Sequence, residues 1–418
     1  MHHAARRRTV IAGIAGNVME WYDFAVYGYF AKDIGEQFFP SRDPASSLIA
    51  SFGAFAAGFV MRPVGGVIFG HIGDRVSRRA ALTISVLAMA IPTFLIGILP
   101  VHEQIGGMAA ILLVAMRMVQ GLSVGGEYTN SVIFLVESAP SQRRGLAGSW
   151  SPFGAGSGIL LGSATGAVVN LLLPREDVAS WGWRLPFLLG LIVGLAGLYI
   201  RRHIPEPPAL DKMERAAAPI VEAFRTEWRA IFKIVGFNLA LAVGFYMVFV
   251  YAATYLETIV HASAKEALDI NTVNMLVMLA LVPLMGLLSD RIGRKPVLVA
   301  ATLGLVALSY PCFWMMHHRD AVLILIGQMG FAVLIAMFSG AGPTTMVEVL
   351  PARVRCTALS VGYNLSVGVI GGLTPLIATY LIERTADDFA PAYFLMLTGA
   401  ISLGVILTMR ETYRDALR

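Results

Sequence analysis

"GHIGDRVSRR" (70–79) returns as "GLLSDRIGRK" (286–295), and this repetition decides the fold. Each copy reads Gly, three residues, Asp-Arg, two residues and two basic residues; the Asp-Arg pairs begin at 74 and 290, 216 residues apart. A second echo sets "ESAPSQRRG" (137–145) against "EVLPARVRC" (348–356), with Pro140 and Pro351 separated by 211 residues. Two loop motifs recurring at nearly one offset, about half of a 418-residue chain, mark two structural repeats.

What lies between these loops is apolar. Hydrophobic residues make up 56% of the chain and charged residues 14%, with a mean hydropathy of +0.69, too apolar for an ordinary soluble enzyme. Runs of about 20 apolar residues, enough to cross a hydrocarbon layer roughly 30 Å thick, recur twelve times. They fall at 10–33, 46–69, 79–99, 108–138, 146–173 and 183–201, then at 231–258, 268–288, 297–316, 320–347, 357–382 and 391–409. Between them, "RHIPEPPALDKMERAAAPIVEAFRTEWRA" (202–230) reads as a Pro-rich linker followed by a short amphipathic surface helix. The expected fold is an all-α integral membrane protein: six spans in 1–201, a cytoplasmic linker at 202–230, and six spans in 231–418.

The net charge of +5 would suit a nucleic-acid binder, but its placement argues for topology instead. With the N-terminus inside, 23 of the 32 Lys and Arg residues fall in inner segments and six in outer loops. That positive-inside bias sets both termini in the cytoplasm, and nucleic acid is not an expected partner. Cys312 and Cys356 fall near opposite faces, so no disulfide is expected. The first apolar run is too long for a signal peptide and lacks a small-residue cleavage site; residues 1–9 read as a short basic cytoplasmic arm. His317 and His318 lack further ligands at metal spacing, so no metal is expected. No Gly-rich loop ends in Gly-Lys-Ser/Thr, so no nucleotide site is readable.

The two decapeptides resemble the signature loop of the major facilitator superfamily; the second copy matches fully, while the first has Ser77 where the family usually has Gly. "GNVMEWYDFAVYG" (16–28), "RPVGGVIFGHIGDR" (62–75), "QGLSVGGEYTNS" (120–131) and "WGWRLPF" (181–187) are together similar to its metabolite:proton symporter branch. Within that branch, "QGLSVGGEYT" and "RRGLAGSW" (143–150) are most similar to the proline/betaine transporters. The resemblance covers Ala12 to about Arg202; beyond that it is the general superfamily pattern. It implies two pseudo-symmetric six-helix domains rocking about a cavity lined by helices 1, 4, 7 and 10, in a bacterial cytoplasmic (inner) membrane. The osmosensing relatives carry a long cytoplasmic tail with a coiled coil, whereas nine residues follow the last span here; osmotic gating by such a tail is not expected.

Asp74 with Arg75 and Arg78, and Asp290 with Arg291 and Arg294, are expected to lock the cytoplasmic helix ends, each acid sitting at a helix N-terminus or pairing with a neighbouring Arg. Glu137, in the second echo, belongs to the same gate, and Glu127 reads as a clasp near it.

Charges inside the spans are few: Glu20 and Asp23 in span 1, Arg62 in span 2, Arg117 and Glu127 in span 4. Each costs at least about 2.5 to 3.5 kcal/mol at the bilayer centre, so it should face the bundle interior and have a partner. At about 1.5 Å per residue, Glu20 and Asp23 lie roughly 15 and 20 Å from the inner end of span 1, and Arg117 about 13 Å from the outer end of span 4. The resemblance, which lines one cavity with helices 1 and 4, implies that the acids of span 1 and Arg117 meet near the midplane, and Asp23 is expected to face Arg117. Dehydration favours a protonated carboxyl group and a nearby Arg the ionised one, so Asp23, with Glu20 beside it, is the expected proton carrier, releasing Arg117 to a substrate carboxylate. A permanent polar clasp between helices is the alternative for both acids. Arg62, beside Pro63 and near the inner surface, is expected to snorkel or pair structurally.

Tyr22, Tyr27, Tyr246 and Tyr251 are the aromatic binding candidates, since aromatic faces attract ammonium groups; ordinary packing is the competing reading. Asn130, Gln328, Tyr363 and Asn364 are weaker candidates. Gly154, Gly158, Gly162 and Gly166 recur every fourth residue in span 5, a ridge that lets a neighbouring helix approach closely.

No nucleophile, base or metal constellation of an enzyme is present. The sequence reading is a monomeric secondary transporter in the lipid bilayer, with a proton as coupling ion and no other cofactor. It imports a small carboxylate-bearing solute, a zwitterion such as proline or a betaine, because one mid-depth arginine suits one carboxylate. The alternative is a di- or tricarboxylate such as citrate or oxoglutarate.

Overall fold

The structure, a computed structural model, describes residues 2–42, 44–202 and 219–417, and among these the chain is helical with no strand. Twelve long helices run in chain order: α1 His2–Tyr29, α2 Pro44–Arg75, α3 Arg78–Ile98, α4 Met108–Glu137, α5 Arg144–Leu172 and α6 Arg184–Arg202. Then follow α7 Trp228–Thr258, α8 Ala264–Ile292, α9 Arg294–Met316, α10 Ala321–Glu348, α11 Arg355–Thr385 and α12 Ala390–Thr408. Ten of them are long and apolar enough to cross a membrane, and α6 joins the preceding Arg175–Gly182 segment as a further span bent by 53°. α1 is as long but carries Asn17, Glu20 and Asp23 along its inner half of the bundle. Large apolar side chains such as Val60 and Leu171 are 73% and 83% exposed, the outward face that lipid requires.

Several helices are longer than their apolar runs. α2 continues through Arg75 rather than stopping at 69, and α1 starts at His2, so the expected basic arm is helical from that residue. α1 breaks at Phe30 into the short helix Ala31–Phe38, instead of running on to 33. Most of the linker expected at 202–230 lies outside the described residues. Its described end holds a short helix, Pro219–Thr226, whose Glu222 pairs with Arg353 at 2.9 Å.

Glycine sets how closely the helices meet. The ridge of α5 lies against α1: a Cβ on Gly158 would stand 2.3 Å from the Val18 carbonyl oxygen, and one on Gly162 2.7 Å from that of Tyr22. α2 meets α4 the same way, with Gly121 against the Gly58 backbone and Gly125 against the Arg62 backbone. These contacts hold backbones at distances no side chain permits, and they fix the helices that carry Glu20, Asp23, Arg62 and Arg117.

Among the described residues, three stretches take the wider π form: Val178–Gly182 before α6, Met247–Tyr251 in α7 and Asn364–Gly371 in α11. A π turn shifts carbonyls off the regular ladder, and in an apolar bundle these need other donors. Gln328 Nε2 donates to the Val248 carbonyl at 2.9 Å and to Asn271 Oδ1 at 2.8 Å, while Asn271 donates to the Phe249 carbonyl. Gln328, a sequence candidate for the cavity, thus supports the α7 backbone.

The glycine contacts predict a sharp contrast. Gly158→Val should push α1 off α5 and lower stability by about 1 to 3 kcal/mol, the usual cost of overpacking. Gly28→Ala, where a Cβ meets nothing within 4 Å, should leave the melting temperature of the purified protein unchanged. Equal melting temperatures for the two variants would contradict the packing described.

Candidate functional site

The repeated loops bring their acids to the partner half. Asp74, at the end of α2, accepts from the backbone N–H of Cys356 at 3.0 Å and of Thr357 at 2.8 Å, the first turn of α11. Asp290, at the end of α8, accepts from the N–H of Gly145 at 2.8 Å and of Leu146 at 2.9 Å, the first turn of α5. Each carboxylate therefore satisfies orphan donors at the positive end of a helix from the other half. Arg78 and Arg294 bond Asp74 and Asp290 from four residues on, at 2.7 and 2.8 Å.

Around each acid the second echo completes a charge cluster. Glu137 receives Arg355 at 2.6 Å and Arg78 at 3.4 Å; Glu348 receives Arg294 at 3.2 Å and Arg144 at 3.7 Å. The two clusters are related by the sequence repeat, and Arg144 and Arg355 are the members that sequence reasoning left out, although they stand in "ESAPSQRRG" and "EVLPARVRC" respectively. Arg75 and Arg291, expected in the lock, are exposed instead. Ser77 and Gly293 explain the one departure from the repeat: Gly293 has a φ of 104°, whereas Ser77 is extended and caps α3 through Ala80 N–H at 2.9 Å. Residues after α12 join the cluster, Thr412 donating to Glu348 at 2.7 Å and Arg144 to the Asp415 carbonyl at 2.8 Å.

Further in, Arg117 Nη1 lies 2.7 Å from Asp23 Oδ2 and 2.7 Å from Gln120 Oε1. Thr93 donates to Asp23 Oδ1 at 3.0 Å, and Gln120 Nε2 to Thr93 at 2.9 Å. Phe24, Tyr27 and Phe55 surround the guanidinium, with ring centroids 4.4 to 5.1 Å from its carbon. Asp23 and Arg117 are both 0% exposed. Every one of these partners belongs to α1–α4, so the pair sits inside the first half rather than between the halves. Tyr27 donates to the Ser51 carbonyl and Tyr22 to the Pro186 carbonyl, again within that half. Tyr251 packs near Tyr255 within the second half, ring centroids 6.4 Å apart.

Glu127 accepts a hydrogen bond from Ser85, which joins α4 to α3 within the first half. Asn130 donates to Gly126 in its own helix, while Asn364 crosses the halves to the Gly125 carbonyl at 2.7 Å.

The expectation for Arg62 is corrected. Because α2 runs on to Arg75, Arg62 lies about 20 Å inside the helix end at 1.5 Å per residue, and it is 1% exposed rather than snorkelling. Its side chain faces the second half: Gly368 of α11 lies beside it, Tyr246 of α7 and Tyr363 of α11 are within its electrostatic reach, and Phe59 is 5.4 Å away. Glu20, 1% exposed, is within reach of Tyr128, Tyr246 and Tyr363. Tyr128 and Tyr363 stack across the halves, centroids 4.6 Å apart and planes at 15°. Trp21 and Phe245 meet across the same space at 6.1 Å. Of the sequence candidates, Glu20 and Tyr246 are therefore brought together between the halves.

Polar clusters that join two halves at one face can be broken and rehydrated there, which lets a bundle open first to one side and then to the other. The architecture is that of a secondary membrane transporter, not an enzyme. Residues 9–211 match the family "Sugar (and other) transporter" and residues 235–417 "Major Facilitator Superfamily". A glycine betaine/proline/ectoine/pipecolic acid transporter of Dickeya dadantii is 39% identical over 99% of this chain and 85% of its own. Proline/betaine transporters of Salmonella typhimurium and Escherichia coli are 37% and 36% identical with the same coverage. A solved proton:xylose symporter bound to 6-bromo-6-deoxy-D-glucose superposes with a TM-score of 0.83 at 18% identity, covering 100% of this chain and 98% of that one. The chain belongs to the major facilitator superfamily, in the branch of the proline/betaine transporters.

Asp74→Ala removes two charge-assisted bonds to the α11 N-terminus, each worth about 1.5 to 3 kcal/mol. The population open at this face should rise at least about tenfold. Spin labels at the exposed positions 76 and 292 would report it as a longer distance component; an unchanged distribution would show that the cap does not hold the halves together.

Proposed function

We propose that the protein is a proton-coupled importer of a small zwitterion with one carboxylate, such as proline or a betaine. The observation that carries the coupling is the buried Asp23–Arg117 pair, wholly enclosed at depth within the first half. The substrate class is supported by the names of relatives matched over almost the whole chain.

The physical scheme follows from the pair. While ionised, Asp23 neutralises Arg117; protonation releases that attraction and leaves a net positive charge in the first half, which alters how the half packs against its partner. Hydration on each opening decides when the proton arrives and leaves. The lock lies at the face where the Lys and Arg residues concentrate, which we take as cytoplasmic. On this orientation both termini are inside, the cytoplasmic face is closed, and residues 1–201 and 231–418 are the two rocking units. One chain holds both units, so the monomer suffices.

The energetics suit import. At about 2.3 kcal/mol per charge per 100 mV and about 1.4 kcal/mol per pH unit, one proton drives more than a hundredfold accumulation of a net-neutral solute.

The test is uptake into proteoliposomes under an inward proton gradient, with labelled proline and glycine betaine beside citrate and oxoglutarate. Zwitterion accumulation that an uncoupler abolishes is expected; accumulation of only a di- or tricarboxylate would refute the substrate class. Asp23→Asn should abolish gradient-driven accumulation while leaving counterflow exchange. Loss of exchange as well would make the pair a structural clasp.

A further inference from the structure

We propose that Arg62, not Arg117, holds the substrate's carboxylate, with its ammonium against the tyrosines Tyr128, Tyr246 and Tyr363. This rests on the zwitterion reading above and names the site for it.

Arg117 is committed elsewhere. Asp23 and Gln120 take its Nη1, rings of the first half surround it, and none of these contacts comes from the second half. A substrate bound there would touch one rocking unit only, and alternating access needs the ligand to act on the contact between the two. Arg62 occupies that contact. It rises from α2, packs beside Gly368 of α11 and faces Tyr246 of α7. Gly368 leaves room at the guanidinium: its Cβ position would stand 3.8 Å from Arg62 Nε.

Arg62 also lacks what a buried guanidinium needs. It is 1% exposed, and its Nε and Nη2 make no hydrogen bond; the same two nitrogens of Arg117 make none either, but Arg117 has Asp23 at 2.7 Å on its Nη1. Adjacent nitrogens on one edge of the planar fork are the geometry that accepts a carboxylate by two parallel bonds. Tyr246 Oη lies within hydrogen-bonding reach of Arg62, and Trp21 Nε1, whose ring meets Phe245 at 6.1 Å, is buried without a partner. Arg62 of α2 and Tyr246 of α7 thus meet from both halves with bonding capacity left on the guanidinium edge, and an anion is the ligand that meets it.

The other end of a zwitterion finds complementary chemistry. The stacked rings of Tyr128 and Tyr363, with Tyr246 beside them, present electron-rich faces, and Glu20 adds a carboxylate within their electrostatic reach. Aromatic faces attract substituted ammonium groups. The site therefore selects a compact molecule with a carboxylate and an ammonium a few bonds apart.

The experiment is equilibrium binding of labelled glycine betaine, and of its methyl ester, to the purified full chain. The ester keeps the ammonium and removes the anionic end. Wild type should prefer glycine betaine by at least about tenfold, and Arg62→Gln should erase that preference by weakening glycine betaine at least about tenfold with the ester unaffected, the loss of one charge-assisted pair. Arg62→Lys, which keeps the charge but not the fork, should weaken glycine betaine at least about threefold, and is the variant to read if Arg62→Gln is not monodisperse. Wild-type affinity in the readable variant, or equal weakening of both ligands, would overturn the assignment while leaving the zwitterion reading intact. Failure of wild type to bind glycine betaine or proline would instead sink that reading and the site with it.

Discussion

Two carboxylates, Asp74 and Asp290, each cap a helix that belongs to the other half of the molecule. A capping bond is normally a local device that terminates its own helix. Placed across an interface, it makes the N-termini of α5 and α11 dependent on the partner half being present. Everything at that face then falls into register: Arg78 and Arg294 orient the acids, Glu137 and Glu348 gather the arginines, and the two stacked tyrosines meet further in. The charge is buried, but it lies at helix ends, where water can replace each partner when the halves part. That location makes the contact strong while closed and affordable to break, the condition for two states separated by a few kcal/mol.

The same logic distinguishes the two deeper arginines. Arg117 has a carboxylate at 2.7 Å and a ring on several sides, so its charge is compensated whatever the halves do. Arg62 instead faces Tyr246 and Tyr363, with Glu20 in their electrostatic reach, in the space between the halves. A bundle carrying both holds one charge pair within a rigid unit and one cation at the contact between the units. The glycine ridge of α5 against α1, and the glycines joining α2 to α4, keep these two centres at a fixed separation within the first half. Movement of one is felt by the other through α1 and α4, which carry groups of both.

Much of this was legible in the sequence, for reasons that differ by residue. The twelve helices followed from apolar length, and the lock from the paired Asp-Arg loops, because a loop motif repeated at one offset leaves few arrangements. The Asp23–Arg117 contact followed from the similar depth of the two charges and from the resemblance that sets helices 1 and 4 on one cavity, although the pair lies inside the first half rather than between the halves. Arg62 was misplaced because apolarity ends before the helix does: α2 runs six residues past 69, through polar residues that still form helix at the membrane face. Its depth was therefore counted from the wrong end point. Arg144 and Arg355 sat in a quoted echo, but nothing in a linear pattern says which residues of a loop turn inward. The π turns of α7 and α11 have no local signature; the supports of the α7 turn, Gln328 and Asn271, lie on other helices and become meaningful only in three dimensions.

These irregular turns bear on how the site works. Tyr246 immediately precedes the π turn of α7, and Gly368 lies within that of α11, so the two groups of the second half that face Arg62 sit where the helix is least regular. A straight helix transmits displacement as a rigid rod, whereas a π turn can tighten or widen at small cost because its hydrogen bonds are already shared with side chains. Gln328 and Asn271 donate to the carbonyls of the α7 turn, which keeps it satisfied without forcing it back to α form. The second half therefore meets the charged first half through its most deformable segments. A ligand bridging Arg62 and the tyrosines would draw on that deformability first, before the clusters at the far face have to yield. Four of the five charges embedded in the spans lie on α1 and α4 and the fifth on α2, so the second half meets a charged partner through the segments around its π turns.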